Sequence, residues 1–114
     1  MQVLFDNGVP RGVAAVLKEH VVEEARDRGW DRLTNGELLR AAEVAGFELL
    51  LTTDRNIRSQ QNLSKRVIAI VVLSKGSWPL IKRKLPEIAA AVAAATPGSY
   101  ADVEIPSEPD LGDG

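Results

Sequence analysis

The chain has 114 residues, with 14 Lys or Arg, 16 Asp or Glu, one His and no cysteine, and a formal net charge of −2. The missing cysteines exclude disulfides, thiol catalysis and cysteine zinc sites, and the single His20 excludes a multi-histidine metal centre. The length suits one domain with one core; nothing resembles a signal peptide and the longest apolar run is far too short to span a bilayer, so a cytoplasmic protein with no membrane association is expected.

Val3, Leu4 and Phe5 form a short apolar run that ends at Asp6 and is broken by Asn7-Gly8. Pro10 suits the first turn of a helix, where a missing N–H costs nothing, and Val13, Val16 and Leu17 recur at helical spacing to about Lys18. His20 reads as a polar loop residue before a short strand at Val21-Val22. The stretch "RDRGWDRL" is a polar loop in which Trp30 packs in the core or at its rim.

"TNGELLRAAEVAG" carries the clearest helix signals. Thr34 can cap it, Glu37 stands three residues later as in a capping box, and Gly46 ends it. Leu38, Ala41, Ala42 and Ala45 form its expected apolar stripe. Phe47 to Leu51 is a strand delivering Thr52, Thr53 and Asp54, followed by a turn or short helix from Ile57 to Leu63. "VIAIVVL", Val67 to Leu73, is apolar without alternation, as a central strand covered on both faces must be. Ser77-Trp78-Pro79 opens the last helical region, which Pro86 should kink or split because proline removes an internal hydrogen bond. Tyr100 to Ile105 alternates as an edge strand does.

Strands alternating with helices indicate an α/β fold: a three-layer α/β/α sandwich with a mainly parallel sheet of four or five strands. It would span residues 1–105, with 106–114 an acidic, disordered tail. Ligands of such sheets bind beyond the carboxyl ends of the strands. Asp6 and Asp54 both end strands, so they should share one edge of the sheet.

Two nearby carboxylates repel and need a cation or a shared proton. Oxygen ligands without histidine or cysteine favour Mg²⁺ or Mn²⁺. The alternative is that Asp6 caps the helix after it and Asp54 pairs with Arg55. Glu37 is equally open: it can complete an acidic triad with Asp6 and Asp54, or bond the Thr34 backbone N–H as a cap. Asn7, Asn35 and Asn56 can add amide oxygens or serve only as turn residues.

Charge is segregated along the chain. Residues 55–84 hold eight bases (Arg55, Arg58, Lys65, Arg66, Lys75, Lys82, Arg83 and Lys84) and no acid, a pattern that suits a polyanionic partner as well as a solvated surface. Arg55 and Arg58 can hold phosphates near Asp54, and Gln60, Gln61 and Asn62 can reach single-stranded base edges.

"VLFDNGVPRGVAAVL", "LTNGELLRAAEVAGFELLLTTDRN" and "VIAIVVL" together resemble the small prokaryotic PIN-like nuclease domains over roughly Met1 to Ile105. Asp6 matches the family's first-strand aspartate, Glu37 the acid at the start of its middle helix, and Asp54 the aspartate of its Thr-x-Asp segment. The resemblance implies a Mg²⁺- or Mn²⁺-dependent ribonuclease with Asp6, Glu37 and Asp54 as metal ligands and catalytic residues. Arg55, Asn56, Arg58 and Gln61 would contact the RNA. It also implies the toxin of a toxin–antitoxin pair, with an antitoxin protein as partner, and admits a homodimer. Asn35 and Asn56 stand where acids are common in the family, which weakens the case for two metals. Two other readings compete. One is a non-catalytic PIN-like interaction module with a degenerate acidic site. The other is a phosphoacceptor receiver domain, opposed by Asn7-Gly8 after Asp6 and by a lysine, Lys75, one strand too early.

Overall fold

A five-stranded, entirely parallel sheet runs through the molecule in the order β2-β1-β3-β4-β5. The structure, a computed structural model, describes residues 1–57 and 66–107. The strands are β1 (Gln2–Phe5), β2 (Val21–Glu24), β3 (Leu49–Thr52), β4 (Ala69–Leu73) and β5 (Tyr100–Val103). The α-helices are α1 (Asn35–Val44), α2 (Trp78–Ile81) and α3 (Leu85–Ala94). Short 3₁₀ segments at Arg11–Val16, Ala25–Arg28 and Lys82–Lys84 complete the connections.

The two faces of the sheet follow from strand alternation. Odd-numbered residues, among them Val3, Phe5, Leu49, Leu51 and Val71, pack with Val13, Ile81, Ile88 and Val92 of the helical segments on one side. Even-numbered residues, Leu4, Leu50, Ile70 and Val72, pack with Leu38, Leu39 and Ala42 of α1 on the other. Every residue of β3 and β4 is buried, which is why these strands read as continuous apolar runs. The fold is therefore the expected three-layer α/β/α sandwich.

Local chemistry sets the element ends. The Thr34 hydroxyl accepts from the Glu37 N–H, and Glu37 accepts from the Thr34 N–H, so the capping box forms. At the other end of α1, Gly46 adopts φ 90°, its N–H donates to the Glu43 carbonyl, and the Phe47 N–H donates to the Ala42 carbonyl. That is a Schellman closure, where the left-handed residue favours glycine. Phe47 is thereby part of the helix stop, and β3 starts at Leu49. Pro86 lies in the first turn of α3, so the predicted last helix is split as proline requires.

Four expectations differ in detail. The stretch after β2, expected as a polar loop, begins with a 3₁₀ helix, Ala25–Arg28, closed by Gly29 at φ 75°. The segment after Pro10 is a 3₁₀ helix, in keeping with the weak α-propensity of Gly12 and its valines. The buried stripe of α1 includes Leu39, whereas Ala45 is exposed because the chain leaves the helix there. β4 starts at Ala69: Val67 is 69% exposed, and its N–H donates to the Glu43 carboxylate. The segments expected at Ile57 to Leu63 and in the tail fall mostly outside the described residues. No helix among the described residues is long and apolar enough to cross a membrane.

Leu50 is fully buried at the centre of the sheet against α1. Leu50→Ala should lower unfolding free energy by about 2–5 kcal/mol, the range for deleting a buried leucine side chain. Val67→Ala should change it by less than about 0.5 kcal/mol, as for most surface substitutions. Urea unfolding of both variants checks the contrast.

Candidate functional site

The chain leaves β1 toward β2, then returns across β1 to form β3 on its other side. Strand order reverses between β1 and β3, and doubly wound sheets of this order bind ligands at that switch point, beyond the carboxyl strand ends. Asp6 and Asp54 both lie there. Phe5 is in register with Leu51, and the Asp6 N–H continues the ladder to the Leu51 carbonyl at 2.9 Å.

Thr52 organises this edge. It is the one buried polar residue among the described residues that ends a core strand, and its hydroxyl is shared by both acids. Thr52 Oγ1 donates to Asp6 Oδ2 at 2.7 Å and accepts from the Asp54 backbone N–H at 3.1 Å. Asp6 Oδ1 accepts from the Asn7 N–H at 2.8 Å. Asp54 Oδ1 accepts from the Asn56 N–H at 2.9 Å, an Asx-type turn, and Asp54 Oδ2 accepts from Asn35 Nδ2 at 2.6 Å. The first residue of α1 is thus tied directly to the end of β3.

These bonds decide several open readings. Asp6 does not cap the following helical segment, whose N-cap is Pro10 without a side-chain bond. Asp54 does not pair with Arg55, which is exposed and has no side-chain partner among the described residues. Asn35 and Asn56 act as hydrogen-bond donors toward Asp54, through a side chain and a backbone respectively. Asn7 Nδ2 donates to the Asp31 carbonyl, and Arg26 donates to the Asn7 carbonyl at 2.9 Å, fixing the loop after β1. Trp30 packs edge-on against Phe47 with ring centroids 6.2 Å apart, as core-rim packing required. Arg58 and Gln61 lie outside the described residues.

Glu37 takes the capping role and not the triad role. Its Oε1 accepts from the Thr34 N–H at 2.9 Å. Among the described residues, no three His, Cys, Asp or Glu side chains form a group that could hold a metal ion, so the expected three-carboxylate cluster is not assembled. The physical reason is proximity: the Thr34 N–H lies one turn away on the same chain, whereas joining Asp6 and Asp54 would crowd a third like charge.

Sequence reasoning gave Thr52 no role. The available signal was a hydroxyl closing an otherwise apolar strand, but its partner becomes identifiable only once β1 and β3 are known to pair. Comparison with family models, with curated proteins and with solved structures finds no match to this chain.

The hydrogen bonds from the Thr34 backbone, then from its side chain, hold the Glu37 carboxyl below its ordinary value of 4.5. A folded value below the unfolded one stabilises the fold fully above the unfolded value, and this contribution is lost as pH falls through the folded value. Glu37→Gln keeps a neutral capping box but should lack this acid-side loss. Melting temperature measured from about pH 6 down to pH 3 should therefore fall less for Glu37→Gln than for the wild type; parallel curves would remove the assignment.

Proposed function

We propose that this chain is a PIN-like nuclease domain that cleaves RNA with one Mg²⁺ or Mn²⁺ held by Asp6 and Asp54. The observation that supports the reading most is the shared Thr52 hydroxyl, which ties both aspartates to the switch point of the sheet. The nuclease chemistry, the toxin role and an antitoxin partner rest on the family resemblance.

The donor set fits one hard cation. Each carboxylate oxygen of Asp6 and Asp54 accepts a hydrogen bond among the described residues, and a carboxylate oxygen has more than one acceptor site. Mg²⁺ keeps several waters and needs only one or two carboxylates plus substrate phosphate. A second cation would need a further carboxylate, and Glu37 is committed to its cap. A bound divalent ion supplies Lewis-acid polarisation of a phosphoryl oxygen and a more acidic water. The chain's own contribution is placement: Thr52 and Asn7 orient Asp6, while Asn35 and Asn56 orient Asp54. Arg55, free of ion pairs among the described residues, follows Asp54 and can hold a backbone phosphate.

The interaction-module reading is favoured by one observation, the capture of Glu37 by its cap, and it is the losing arm of the experiment below. The receiver reading would use Ser74, after β4, as a switch hydroxyl, and it loses support at that residue. Its hydroxyl accepts from the Ile105 N–H at 2.7 Å and is within 3.2 Å of the Ile105 carbonyl, so it anchors the end of β5.

Asp54→Asn and Asp6→Asn should each abolish Mn²⁺-dependent cleavage of a single-stranded RNA, because each removes charge where the cation is held. Each should change the melting temperature of the metal-free protein only slightly, since relief of like-charge repulsion is offset by weaker hydrogen bonds to the neutral amide. Glu37→Gln should retain cleavage. Metal-dependent cleavage surviving in Asp54→Asn, or no cleavage by the wild type with saturating Mn²⁺, would favour the interaction module instead.

RNA binding in chelator should weaken about tenfold or more between roughly 50 and 200 mM salt if three or so phosphates are contacted. Arg55→Ala should weaken it for all sequences alike and flatten the salt dependence. Filter binding across a salt series measures both; affinity independent of salt counts against the basic segment as the phosphate contact.

A further inference from the structure

We infer that Trp78 is a stacking platform for a base of a single-stranded polynucleotide, flanked by Lys75 and Lys82 for its phosphates. The inference rests on the nuclease reading for why a strand would lie there, and it extends that reading to a residue with no role so far.

The loop between β4 and α2 crosses the carboxyl edge of the sheet. A Cβ on Gly76 would lie 3.1 Å from the Gly8 carbonyl oxygen and 3.7 Å from the Thr53 methyl, and a Cβ on Gly8 would lie 2.2 Å from Thr53 Oγ1. The segments after β1 and β4 therefore approach backbone to backbone, with the Thr53 side chain from the segment after β3 packed against both. Trp78 follows Gly76 closely in the chain and rests on Gly12, in the 3₁₀ segment after β1. A Cβ on Gly12 would collide with three ring carbons at 2.3–2.7 Å, so only glycine there admits the indole. The ring is thus seated against backbone while Trp78 remains 37% exposed.

Its surroundings distinguish it from Trp30. Trp30 is covered by Phe47 and by the Arg28 guanidinium, 5.2 Å from its ring centroid. Trp78 has no aromatic or cationic neighbour stacked on it among the described residues. Nearby cations are uncommitted: the side chains of Lys75 and Lys82 have no ion-pair partner among the described residues, whereas Arg66 pairs with Glu43 and Lys84 with Glu87. Lys82 is four residues beyond Trp78, hence on the same side of that helical turn. An exposed aromatic ring close in the chain to cations without ion-pair partners among the described residues is what sequence-tolerant single-strand binding uses: each base offers a π-face and each linkage a phosphate. An apolar protein partner would have no use for lysines that lack an ion-pair partner among the described residues.

The test is made in chelator, so that binding is read without cleavage and its failure is separable from failure of the nuclease reading. Trp30→Phe leaves Trp78 as the sole tryptophan. Titrating this variant with a short oligo(U), with oligo(dT) and with an abasic oligomer of equal charge should give saturable fluorescence quenching by the first two only. Equal quenching by RNA and DNA assigns a general single-strand platform, and quenching by oligo(U) alone assigns an RNA-specific one. In the wild-type background, Trp78→Ala should weaken oligo(U) binding by about fivefold to a hundredfold, the range for one stacked base. Trp78→Phe should restore most of it, and Lys82→Ala should reduce the salt dependence. Unquenched Trp78 fluorescence, equal binding of the abasic oligomer, or quenching by phosphatidylserine vesicles but by neither oligonucleotide overturns the proposal.

Discussion

The parallel register of β1 against β3, with Phe5 opposite Leu51, is the constraint on which the rest depends. It places the two central strands side by side although the chain visits β2 and α1 between them. Once set, it commits Val3, Phe5, Leu49 and Leu51 to one core and Leu4 and Leu50 to the other. A slip of one residue would exchange these faces, moving every packed side chain into the wrong layer. The same register sets Thr52 opposite Asp6. Packing of the hydrophobic layers therefore positions the polar edge, and the polar edge has little freedom of its own.

That edge is rigid because a buried hydroxyl cannot go without partners. Thr52 has no contact with solvent, and an unpaired hydroxyl in such a place costs on the order of 1–3 kcal/mol. Asp6 and the Asp54 backbone satisfy it together. The glycine contacts act in the same direction, since Gly8, Gly12 and Gly76 let three loops approach more closely than side chains would permit. The carboxyl edge is therefore a packed surface with defined side-chain directions, the condition a binding site needs before any ligand arrives.

Much of this was legible in the residues. The apolar run without alternation from Val67 to Leu73 indicates a strand covered on both faces, and the capping box and Gly46 bound α1 from both ends. Pro86 marks the break in the last helical region for reasons confined to its own ring. What was not legible was competition between local and long-range partners. Glu37 satisfies a capping box and a family acid position equally well on paper; only the folded chain shows the Thr34 N–H taking it. Phe47 has strong strand propensity, yet the Schellman closure at Gly46 claims its N–H for the helix. Thr52 and Trp78 were silent because their significance lies in Asp6 and Gly12, residues remote in sequence.

The amides around Asp54 satisfy this acidic edge with hydrogen bonds from within the chain. A site built from four carboxylates holds together only when charge is neutralised, by metal or by protons. Here Asn35 donates a side-chain hydrogen bond where an acid would repel, and the turn at Asn56 supplies a backbone donor in place of a further charge. Charge-assisted bonds of this type are stronger than neutral ones. The consequence is a self-satisfied pair of aspartates: less repulsion to relieve, and so a smaller gain when a cation binds. Under the proposed nuclease reading, affinity for a divalent ion would come largely from the substrate, whose phosphate oxygens would complete the coordination that two carboxylates begin. On this account the same asparagines that weaken a resident metal site favour one assembled with the nucleic acid. On that proposal the burden of binding would fall on the surface beside it, where Arg55 and Lys75 carry charges without ion-pair partners among the described residues.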